Sequence, residues 1–292
     1  MRIGFIGLGE MGMPMAARLA AAGFSVSGFD AVSERRASAQ ELGIGRAGSA
    51  REVVQALAAD GPVPTPIAIV MVRTLPQVQE AIFGEDGALA AGHASTLVVM
   101  STIDPVSMRL LAARAAQSGS VVIDAPVSGG RRGAEDGSLA IMAAGEDAEL
   151  DRLGAVFDVL GGHVARVGER PGDGQAVKLA NQAMMAAAMA GTLEGLEIAA
   201  RYGVAEETVL DVVQHGTGGS WVLRNWSWMR ALWEEYESGN ALDVLYKDMR
   251  ALLDVASSEW APLPVASASF QRLLDHWRAQ PAVREARGLN ES

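Results

Sequence analysis

Residues 2–12 read RIGFIGLGEMG, an apolar run followed by three glycines in the spacing G-x-G-x-x-G. The apolar run predicts a strand over 2–6, and the Ala-rich residues after it predict a helix over 11–22. In such a turn the first glycine makes the bend, the second lets a pyrophosphate approach and the third lets the helix pack on the strand. A glycine-rich turn in a nucleotide-free α/β fold is the alternative. The context favours a dinucleotide-binding turn formed by Gly7, Leu8, Gly9, Glu10, Met11 and Gly12.

The first half of the chain alternates strand and helix patterns. Strands are predicted at 2–6, 25–29, 67–72, 97–100, 121–124 and 139–143, helices at 11–22, 33–42, 50–58, 76–83 and 105–118, and a Pro-rich loop at 60–66. This alternation predicts a Rossmann-type doubly wound parallel sheet covered by helices. After a Gly- and Pro-rich break at 168–174, helical patterns dominate, beginning with a long Ala-rich helix at about 175–202. We therefore expect an α/β domain at 1–168 and an all-α domain at 169–292, joined by a long interdomain helix.

The composition excludes several classes of protein. Without cysteine, the chain forms neither a disulfide framework nor a thiolate-bound zinc or iron–sulfur centre. Its 24 Lys and Arg against 35 Asp and Glu give a net charge of −11, which argues against binding nucleic acid through a basic face. The most apolar long stretch, 179–193, contains two amides and is shorter than the roughly 20 residues that span a bilayer. We expect a cytoplasmic protein with no nucleic-acid partner and no membrane segment.

An acid at the end of the second predicted strand bears on the choice of cofactor. Asp30 lies 18 residues after Gly12, where a carboxylate accepts hydrogen bonds from an adenosine ribose 2′-hydroxyl and repels a 2′-phosphate. This predicts NAD as the preferred cofactor. Arg35 and Arg36 follow closely, and their positive charges keep NADP open as the alternative.

If the cofactor is a nicotinamide dinucleotide, some group must also move the proton that accompanies the hydride. The Tyr-x-x-x-Lys pair of short-chain reductases is absent, because Glu206, Asn240 and Arg250 lie four residues after the three tyrosines. The four histidines have no metal-ligand spacing. Among them, His215 is the second choice as the base, after a lysine.

The 24 Lys and Arg include only two lysines, Lys178 and Lys247. Lys178 falls in the first turns of the long predicted helix, with Asn181 and Gln182 three and four residues later on the same face. An ammonium partly buried among Ala, Leu and Val would have a lowered pKa, which suits proton transfer. A helix lysine that reaches solvent is the alternative. The neighbouring glycines and amides favour a catalytic role.

Two further turns follow predicted strands. DAPVSGG at 124–130 exposes backbone N–H groups beside the Ser128 hydroxyl, a cradle suited to a carboxylate, although the motif taken alone favours an ordinary strand-ending turn. STIDP at 101–105 follows the neighbouring strand. Ligands of open α/β sheets lie beyond the carboxyl ends of the strands, so both turns should converge with the glycine-rich turn.

Four blocks together resemble the β-hydroxyacid dehydrogenases, the family of 3-hydroxyisobutyrate dehydrogenase and tartronate semialdehyde reductase: GFIGLGEMGMPMA, DAPVSGG, GDGQAVKLANQ and LYKDMRALL. The resemblance spans essentially the whole chain. It implies NAD(P)-dependent hydride transfer on a small anionic 3-hydroxy acid or semialdehyde, and a homodimer or homotetramer joined through the helical domain. The site residues that it implies are Lys178 as the general acid/base, Ser128, Gly129, Gly130, Asn181, Gln182 and Thr102 for substrate, and Leu75, Pro76, Thr102 and Lys247 for cofactor.

The chain departs from that family pattern in three places. Arg131 and Arg132 replace small or apolar residues, Val99 replaces a common acid, and four tryptophans crowd 221–233, a spacing more typical of core than of a pocket. Arg131 gives the hypothesis of a second anionic group on the substrate, with a solvated surface arginine as the alternative. Two other functions stay open. Imine reductases typically carry Asp or Tyr in place of Lys178 and rank lower, and a non-catalytic NAD-binding sensor would keep the fold without turnover.

Overall fold

A nine-stranded sheet organises the first of the two units into which the chain divides, Met1–Lys178 and Leu179–Ser292. The computed structural model describes residues 1–58 and 65–288, so the loop predicted at 60–66 lies, apart from its last two residues, outside the described part. The strands are β1 (Arg2–Ile6), β2 (Ser25–Phe29), β3 (Gly45–Arg46), β4 (Ile67–Val70), β5 (Thr96–Val99), β6 (Val121–Asp124), β7 (Val127–Ser128), β8 (Leu139–Ala144) and β9 (Gly161–Gly168).

Helices cover the sheet and make up the second unit. Those that begin in the first unit are α1 (Gly12–Ala21), α2 (Ser33–Glu41), α3 (Ala50–Ala58), α4 (Leu75–Phe83), α5 (Pro105–Ala116), α6 (Gly130–Asp136), α7 (Asp147–Leu160) and α8 (Asp173–Arg201). Those of the second unit are α9 (Glu206–Gln214), α10 (Trp221–Arg224), α11 (Trp226–Glu234), α12 (Ala241–Ser258), α13 (Pro264–Ala279) and α14 (Pro281–Ala286).

The strand order is β3-β2-β1-β4-β5-β6-β8-β7, with β9 paired to β8. Strands β1 to β6 run parallel to their neighbours among these six, and β8 is antiparallel to β6 and β7. The chain winds outward in one direction from β1 to β3 and in the other from β4, so the order reverses between β1 and β4. Open α/β sheets bind ligands beyond such a reversal. The Rossmann-type fold expected from the alternating pattern is confirmed.

Two apolar layers cover the two faces of this sheet. Successive residues of β4 belong to opposite layers, with Ile69 packed among residues of α1 and α7 and Val70 among residues of α3, α4 and α5. All four residues of β4 are buried, as are all four of β5. Parallel strands buried on both faces form continuous apolar runs, which explains why their positions were predictable.

The structure contains elements that no sequence pattern predicted. Helix α7 places Leu150, Leu153 and Phe157 in the core, and β9 continues the sheet beside β8. Strand β9 reads GGHVARVG, which has neither an apolar run nor a clear alternation, and none of its residues is buried. Its pairing with β8, rather than local preference, makes it a strand.

The second unit has an aromatic core. Trp226 and Trp233 are buried there as expected, but Trp221 and Trp228 are 49% and 47% exposed and pack edge to face with ring centroids 6.0 Å apart. The prediction of a core position was wrong for these two. Because Trp226 and Trp228 are two residues apart on a helix, they point to nearly opposite sides, and only one of them can face the core.

Candidate cofactor and substrate site

The glycine-rich turn joins β1 to α1, and the protein's own packing requires two of its glycines. Gly7 has φ +97°, and a Cβ there would lie 2.2 Å from the carbonyl oxygen of Met71, the residue that follows β4. A Cβ on Gly12 would lie 1.9 Å from the Gly7 carbonyl oxygen. The turn therefore closes on itself and on the neighbouring strand, at the point where the sheet order reverses.

Gly9 has a different environment. A Cβ at this position would have a single neighbour, the Arg35 guanidinium, at 3.7 Å, so protein packing does not require glycine here. Helix α1 starts beside it with no side-chain cap and no acidic residue in its first turn. An uncapped helix N-terminus offers N–H groups and a positive dipole end to an anion. The open space at Gly9 and this helix start fit a pyrophosphate.

Asp30 connects the end of β2 to the glycine-rich turn. Its buried carboxylate accepts hydrogen bonds from the backbone N–H of Leu8 and of Val32, each at 2.8 Å. Each carboxylate oxygen has two acceptor sites, so capacity remains for a ribose hydroxyl. The Arg35 guanidinium lies 3.5 Å from the same carboxylate, whereas Arg36 donates to the backbone carbonyl of Asp30. Negative and positive groups thus stand side by side at the end of β2, where the sequence predicts that the adenosine ribose binds.

The other predicted residues of the glycine-rich turn contribute mainly backbone. The Leu8 side chain is buried in the core, Glu10 is exposed and Met11 is half-buried. Leu75 begins α4, which a reciprocal Thr74–Gln77 capping box starts. Leu75 is half-buried and Pro76 exposed, in the turn that follows β4.

The turn after β5 is tied to β4. The Ser101 hydroxyl accepts a hydrogen bond from the backbone N–H of Val72 at 2.9 Å, and Thr102 follows, partly exposed. Beyond β6, Ser128 ends β7, and Gly129 and Gly130 adopt φ +135° and +62°. These left-handed values favour glycine. The turns predicted at 101–105 and 124–130 therefore follow neighbouring strands β5 and β6, as expected.

Arg131 and Arg132 lie on α6 and are both exposed. Each forms a salt bridge with an acid four residues later on the same helix, Arg131 with Glu135 at 2.7 Å and Arg132 with Asp136 at 3.5 Å. This pairing supports the interpretation of Arg131 as a surface arginine over a role with a second substrate anion.

Lys178 is buried, with 6% of its surface exposed, on the second turn of α8. One turn before it, the fully buried Gln175 contacts the fully buried Asp124, the last residue of β6. Burial raises the pKa of Asp124 to about 6, although backbone and side-chain hydrogen bonds from Gln175 and Gly172 oppose the shift. Neither Asp124 nor Gln175 was predicted as a site residue. The sequence feature that could have identified them is their place in the matched blocks, since Asp124 begins DAPVSGG and Gln175 lies in GDGQAVKLANQ.

In the second unit, a chain of contacts connects three predicted residues to one buried acid. The Asn181 amide donates to Gln182 at 3.1 Å, the Gln182 amide donates to Asp248 at 2.7 Å, and the Lys247 ammonium lies 2.7 Å from the other oxygen of Asp248. Asp248 is fully buried. It was not predicted, although it directly follows Lys247 in the block LYKDMRALL.

His215, the second choice for the base, is exposed just past the end of α9. Its Nδ1 lies 2.8 Å from the backbone oxygen of Asp211, one turn earlier. This position is typical of a helix-ending histidine rather than of a catalytic base. Within residues 1–58 and 65–288, no group of three or more His, Asp or Glu side chains is arranged to hold a metal ion.

Comparisons with known proteins cover both units. The protein-family model described as the NAD binding domain of 6-phosphogluconate dehydrogenase matches residues 2–168. A second family model, described as NAD-binding of NADP-dependent 3-hydroxyisobutyrate dehydrogenase, matches residues 172–283. The chain is 34% identical to an L-threonate dehydrogenase of Escherichia coli O6:H1 over 92% of this chain and 86% of that one. It is also 34% identical to the 2-hydroxy-3-oxopropionate reductase of Escherichia coli K12, over 94% and 90%. The crystal structure of a 3-hydroxyisobutyrate dehydrogenase from Salmonella typhimurium superposes with a TM-score of 0.79 at 30% identity, covering 97% and 99%.

The fold, the glycine-rich turn and these likenesses define an NAD(P)-dependent oxidoreductase with a Rossmann-type domain followed by a helical one. The chain belongs to the β-hydroxyacid dehydrogenase family. Its class of activity is that of the NAD(P)-dependent 3-hydroxyacid dehydrogenases. A Streptomyces aurantiacus imine reductase superposes with a TM-score of 0.66 at 19% identity over the full length of both chains, a likeness that shows the fold alone.

Proposed function

We propose that this chain catalyses the reversible oxidation of a small 3-hydroxy acid in the cytoplasm, with NAD as the preferred cofactor and Lys178 as the general acid/base. The observation that carries the mechanism is the burial of Lys178, one of only two lysines, on α8, shortly after the Gly- and Pro-rich stretch 168–174. In this proposal residues 1–168 hold the cofactor, and residues 169–292 contribute to substrate binding and to oligomerisation.

The proposed site divides the chemistry between carboxylate binding and proton transfer. The Ser128 hydroxyl and the backbone N–H groups of Gly129 and Gly130 bind the substrate carboxylate. Lys178 takes the hydroxyl proton while the C–H hydrogen leaves as hydride, and the C–O bond becomes a carbonyl. In the reverse direction Lys178 returns the proton to the oxygen. The nicotinamide, when bound, supplies the acceptor or donor of the hydride.

Several side chains complete this proposal. Asn181 and Gln182 lie three and four residues after Lys178 on α8. In this proposal they orient the lysine and the substrate, with Gln182 held by its hydrogen bonds to Asn181 and Asp248. Gly9 and the start of α1 hold the pyrophosphate, and Asp30 accepts from the adenosine ribose. The remaining cofactor-binding residues in this proposal are Leu75, Pro76, Thr102 and Lys247.

The substrate test is a panel of acids with NAD and with NADP. Relatives named for L-threonate, 2-hydroxy-3-oxopropionate and 3-hydroxyisobutyrate support a compact acid with a hydroxyl two carbons from the carboxylate. We therefore expect the protein to oxidise at least one of four acids: 3-hydroxyisobutyrate, glycerate, L-threonate and L-serine. Binding of NADH without turnover of any of them would favour the non-catalytic sensor. Reduction of a cyclic imine with none of the acids oxidised would favour the imine reductase.

We expect Asp30→Asn to shift the cofactor preference toward NADP. Removing the negative charge removes its repulsion of a 2′-phosphate and leaves the Arg35 guanidinium beside it. The ratio of kcat/KM for NAD to kcat/KM for NADP should fall at least about tenfold, equivalent to roughly 1.4 kcal/mol. The reciprocal control is Arg35→Ala, which should raise this ratio. A ratio unchanged by both substitutions would contradict the assignment of Asp30 to the ribose.

An exposed apolar stripe on α8 supports a homo-oligomer. Val177, Met184, Gly191 and Ile198 recur every seven residues and are all exposed, Met184 by 73%. In the part of the chain that the structure describes, α8 also meets the length and composition of a membrane span, and 22% of its apolar window is buried. A seven-residue apolar repeat is typical of helix–helix packing, so we propose that a second copy covers this stripe.

We expect Met184→Glu to convert the oligomer to a monomer, because it places a charge at the centre of this apolar stripe. Sedimentation velocity gives the mass. Ala200→Glu is the matched control, since Ala200 is exposed on nearly the opposite side of the same helix and should leave the oligomer intact. A monomeric parent protein that binds lipid vesicles through the stripe would contradict the proposal.

A further inference from the structure

Asp124 and Gln175 form a buried polar pair that the proposed chemistry does not use. We propose that they are positioning residues, which together set the first turn of α8, and so Lys178, relative to the turns after β5 and β6. The inference rests on the proposed function only where Lys178 is taken as the acid/base group. The contacts of the pair stand independently of that role.

Asp124 caps the start of α8 from a different element. One carboxylate oxygen accepts hydrogen bonds from the backbone N–H of Gly172 at 2.8 Å and of Gln175 at 3.0 Å. The fit is close, because a Cβ on Gly174 would lie 3.0 Å from the Asp124 carboxyl carbon and 2.5 Å from the Met142 carbonyl oxygen. The helix start is thereby held against the end of β6, from which the 125–130 turn continues.

Gln175 extends the same contact to the turn after β5. Its amide nitrogen donates to the other Asp124 oxygen at 2.8 Å and to the Ser101 carbonyl at 3.1 Å, while its amide oxygen accepts from the Ile103 N–H at 3.0 Å. These last two contacts lie on either side of Thr102. One side chain therefore holds both flanks of the residue proposed to meet cofactor and substrate.

The position of this pair relative to Lys178 favours a functional role over simple stability. Lys178 is three residues after Gln175, so the two side chains leave α8 on the same face. A buried carboxylate is an expensive way to fasten a helix, since apolar packing of similar volume usually stabilises as much or more. What the polar pair adds is direction, because hydrogen bonds fix both the distance and the angle of the groups that they join.

Protonation of Asp124 gives this arrangement a distinctive dependence on pH. The groups that hydrogen-bond to the Asp124 carboxylate are all N–H donors. When Asp124 is protonated, one of its oxygens carries a hydrogen that faces these donors, and a hydrogen bond to that oxygen is lost. Burial raises the pKa of Asp124 to about 6, above the roughly 3.9 of a free aspartate. The charged side chains of residues 104–110 and 170–178, which flank the carboxylate, are Asp104, Arg109, Arg170, Asp173 and Lys178. Farther along the same segments lie Glu169, Arg114 of α5, and Glu194, Glu197 and Arg201 of α8, whereas β5 and β8 carry no charged residue.

Stability and activity should therefore respond to acid in opposite directions at this group. The folded state binds the Asp124 proton more tightly than the unfolded chain, so its ionisation costs stability above pH 6, and this cost disappears as the pH falls toward 4. Activity depends on the ionised form and falls over the same range. Because protonation of the proposed base Lys178 also lowers oxidation in acid, the loss that belongs to Asp124 is the part of the pH dependence that Asp124→Asn removes, and a purely structural role of Asp124 would leave the activity profile of that variant unchanged.

The test exchanges donor and acceptor across the contact. We expect Asp124→Asn and Gln175→Glu each to lower kcat at least about tenfold, with the KM for NAD changed less than threefold. In the double variant the amide introduced at position 124 can donate to the carboxylate introduced at position 175, so kcat should recover at least about fivefold over the worse single variant. Recovery is partial because the donor to the Ser101 carbonyl is lost. Asp136→Asn, an exposed Asp-to-Asn change on α6, is the matched control.

A second readout needs no turnover. In the parent protein the amide proton shifts of Gly172 and Gln175, followed by NMR, should titrate with a midpoint near pH 6 and lose this titration in Asp124→Asn. Shifts that do not titrate, or single variants that change only the unfolding temperature, would overturn the inference. So would a double variant whose kcat is no higher than that of the worse single variant. If the amides titrate while no hydroxy acid is oxidised, the proposed function fails and the positioning contact stands.

Discussion

Lys178→Ala is expected to lower kcat for hydroxy-acid oxidation by about 100- to 10,000-fold, the usual contribution of a general acid/base. The substrate hydroxyl must lose its proton as the hydride leaves, and Lys178 is the buried amine proposed to take it. The affinity for NADH should stay within about threefold, because the glycine-rich turn and Asp30 are unaltered. Steady-state kinetics and a fluorescence titration of NADH measure the two quantities.

Two further variants separate proton transfer from packing. Lys178→Met keeps most of the buried stem and removes the amine, so it should lose as much kcat as Lys178→Ala with a smaller loss of stability. Lys247→Ala removes the other lysine, which pairs with Asp248, and should raise the KM for cofactor more than it lowers kcat. A loss in Lys178→Ala of less than about tenfold would contradict the acid/base role.

The second large effect concerns the glycine-rich turn, where substitutions of two different glycines should have different consequences. In Gly12→Ala the new methyl would lie 1.9 Å from the Gly7 carbonyl oxygen and 3.1 Å from the Phe5 ring. Backbone cannot yield as a flexible side chain can, so we expect a loss of about 2–3 kcal/mol in the free energy of unfolding. NADH binding should be lost with the shape of the turn. Chemical denaturation and the NADH titration measure these effects.

Gly9→Ala is the matched comparison, because its methyl would meet only the Arg35 guanidinium at 3.7 Å. The free energy of unfolding should change by less than about 0.5 kcal/mol, as for most substitutions away from packed groups. The Kd for NADH should nevertheless rise at least tenfold, since the methyl occupies the space left for the pyrophosphate. An unchanged Kd would show that this space is not where the cofactor approaches.

Much of the first unit was predictable because its determinants are local. Strands β1, β2 and β6 have the bounds that their sequence patterns predict. Strands β1 and β6 are mainly apolar, β2 alternates buried and less buried residues, and each strand ends at or just before Gly or Asp. The glycine-rich turn was predictable for a similar reason. The close approaches at Gly7 and Gly12 involve the turn itself and the adjacent strand, so the glycine spacing alone indicates the conformation.

The contacts that organise the site were not predictable in the same way. Asp124 and Gln175 are 51 residues apart, and Gln182 and Asp248 are 66 residues apart, so no spacing rule pairs them. Burial is also a property of the folded chain. Asp124 ends a strand and Asp248 lies on a helix, and nothing in either local sequence distinguishes a buried carboxylate from a solvated one.

Local sequence patterns were enough to establish the family, the cofactor class and Lys178 as the first candidate base, because each depends on residue types at short spacing. Only the tertiary structure identified the residues that hold these groups in place. It showed that Asp124 and Gln175 join the start of α8 to two strand-ending turns, and that Arg131 pairs with its own helix. Pairing and burial arise when distant segments pack together, and the free energy of a hydrogen bond or a buried charge depends on that packing.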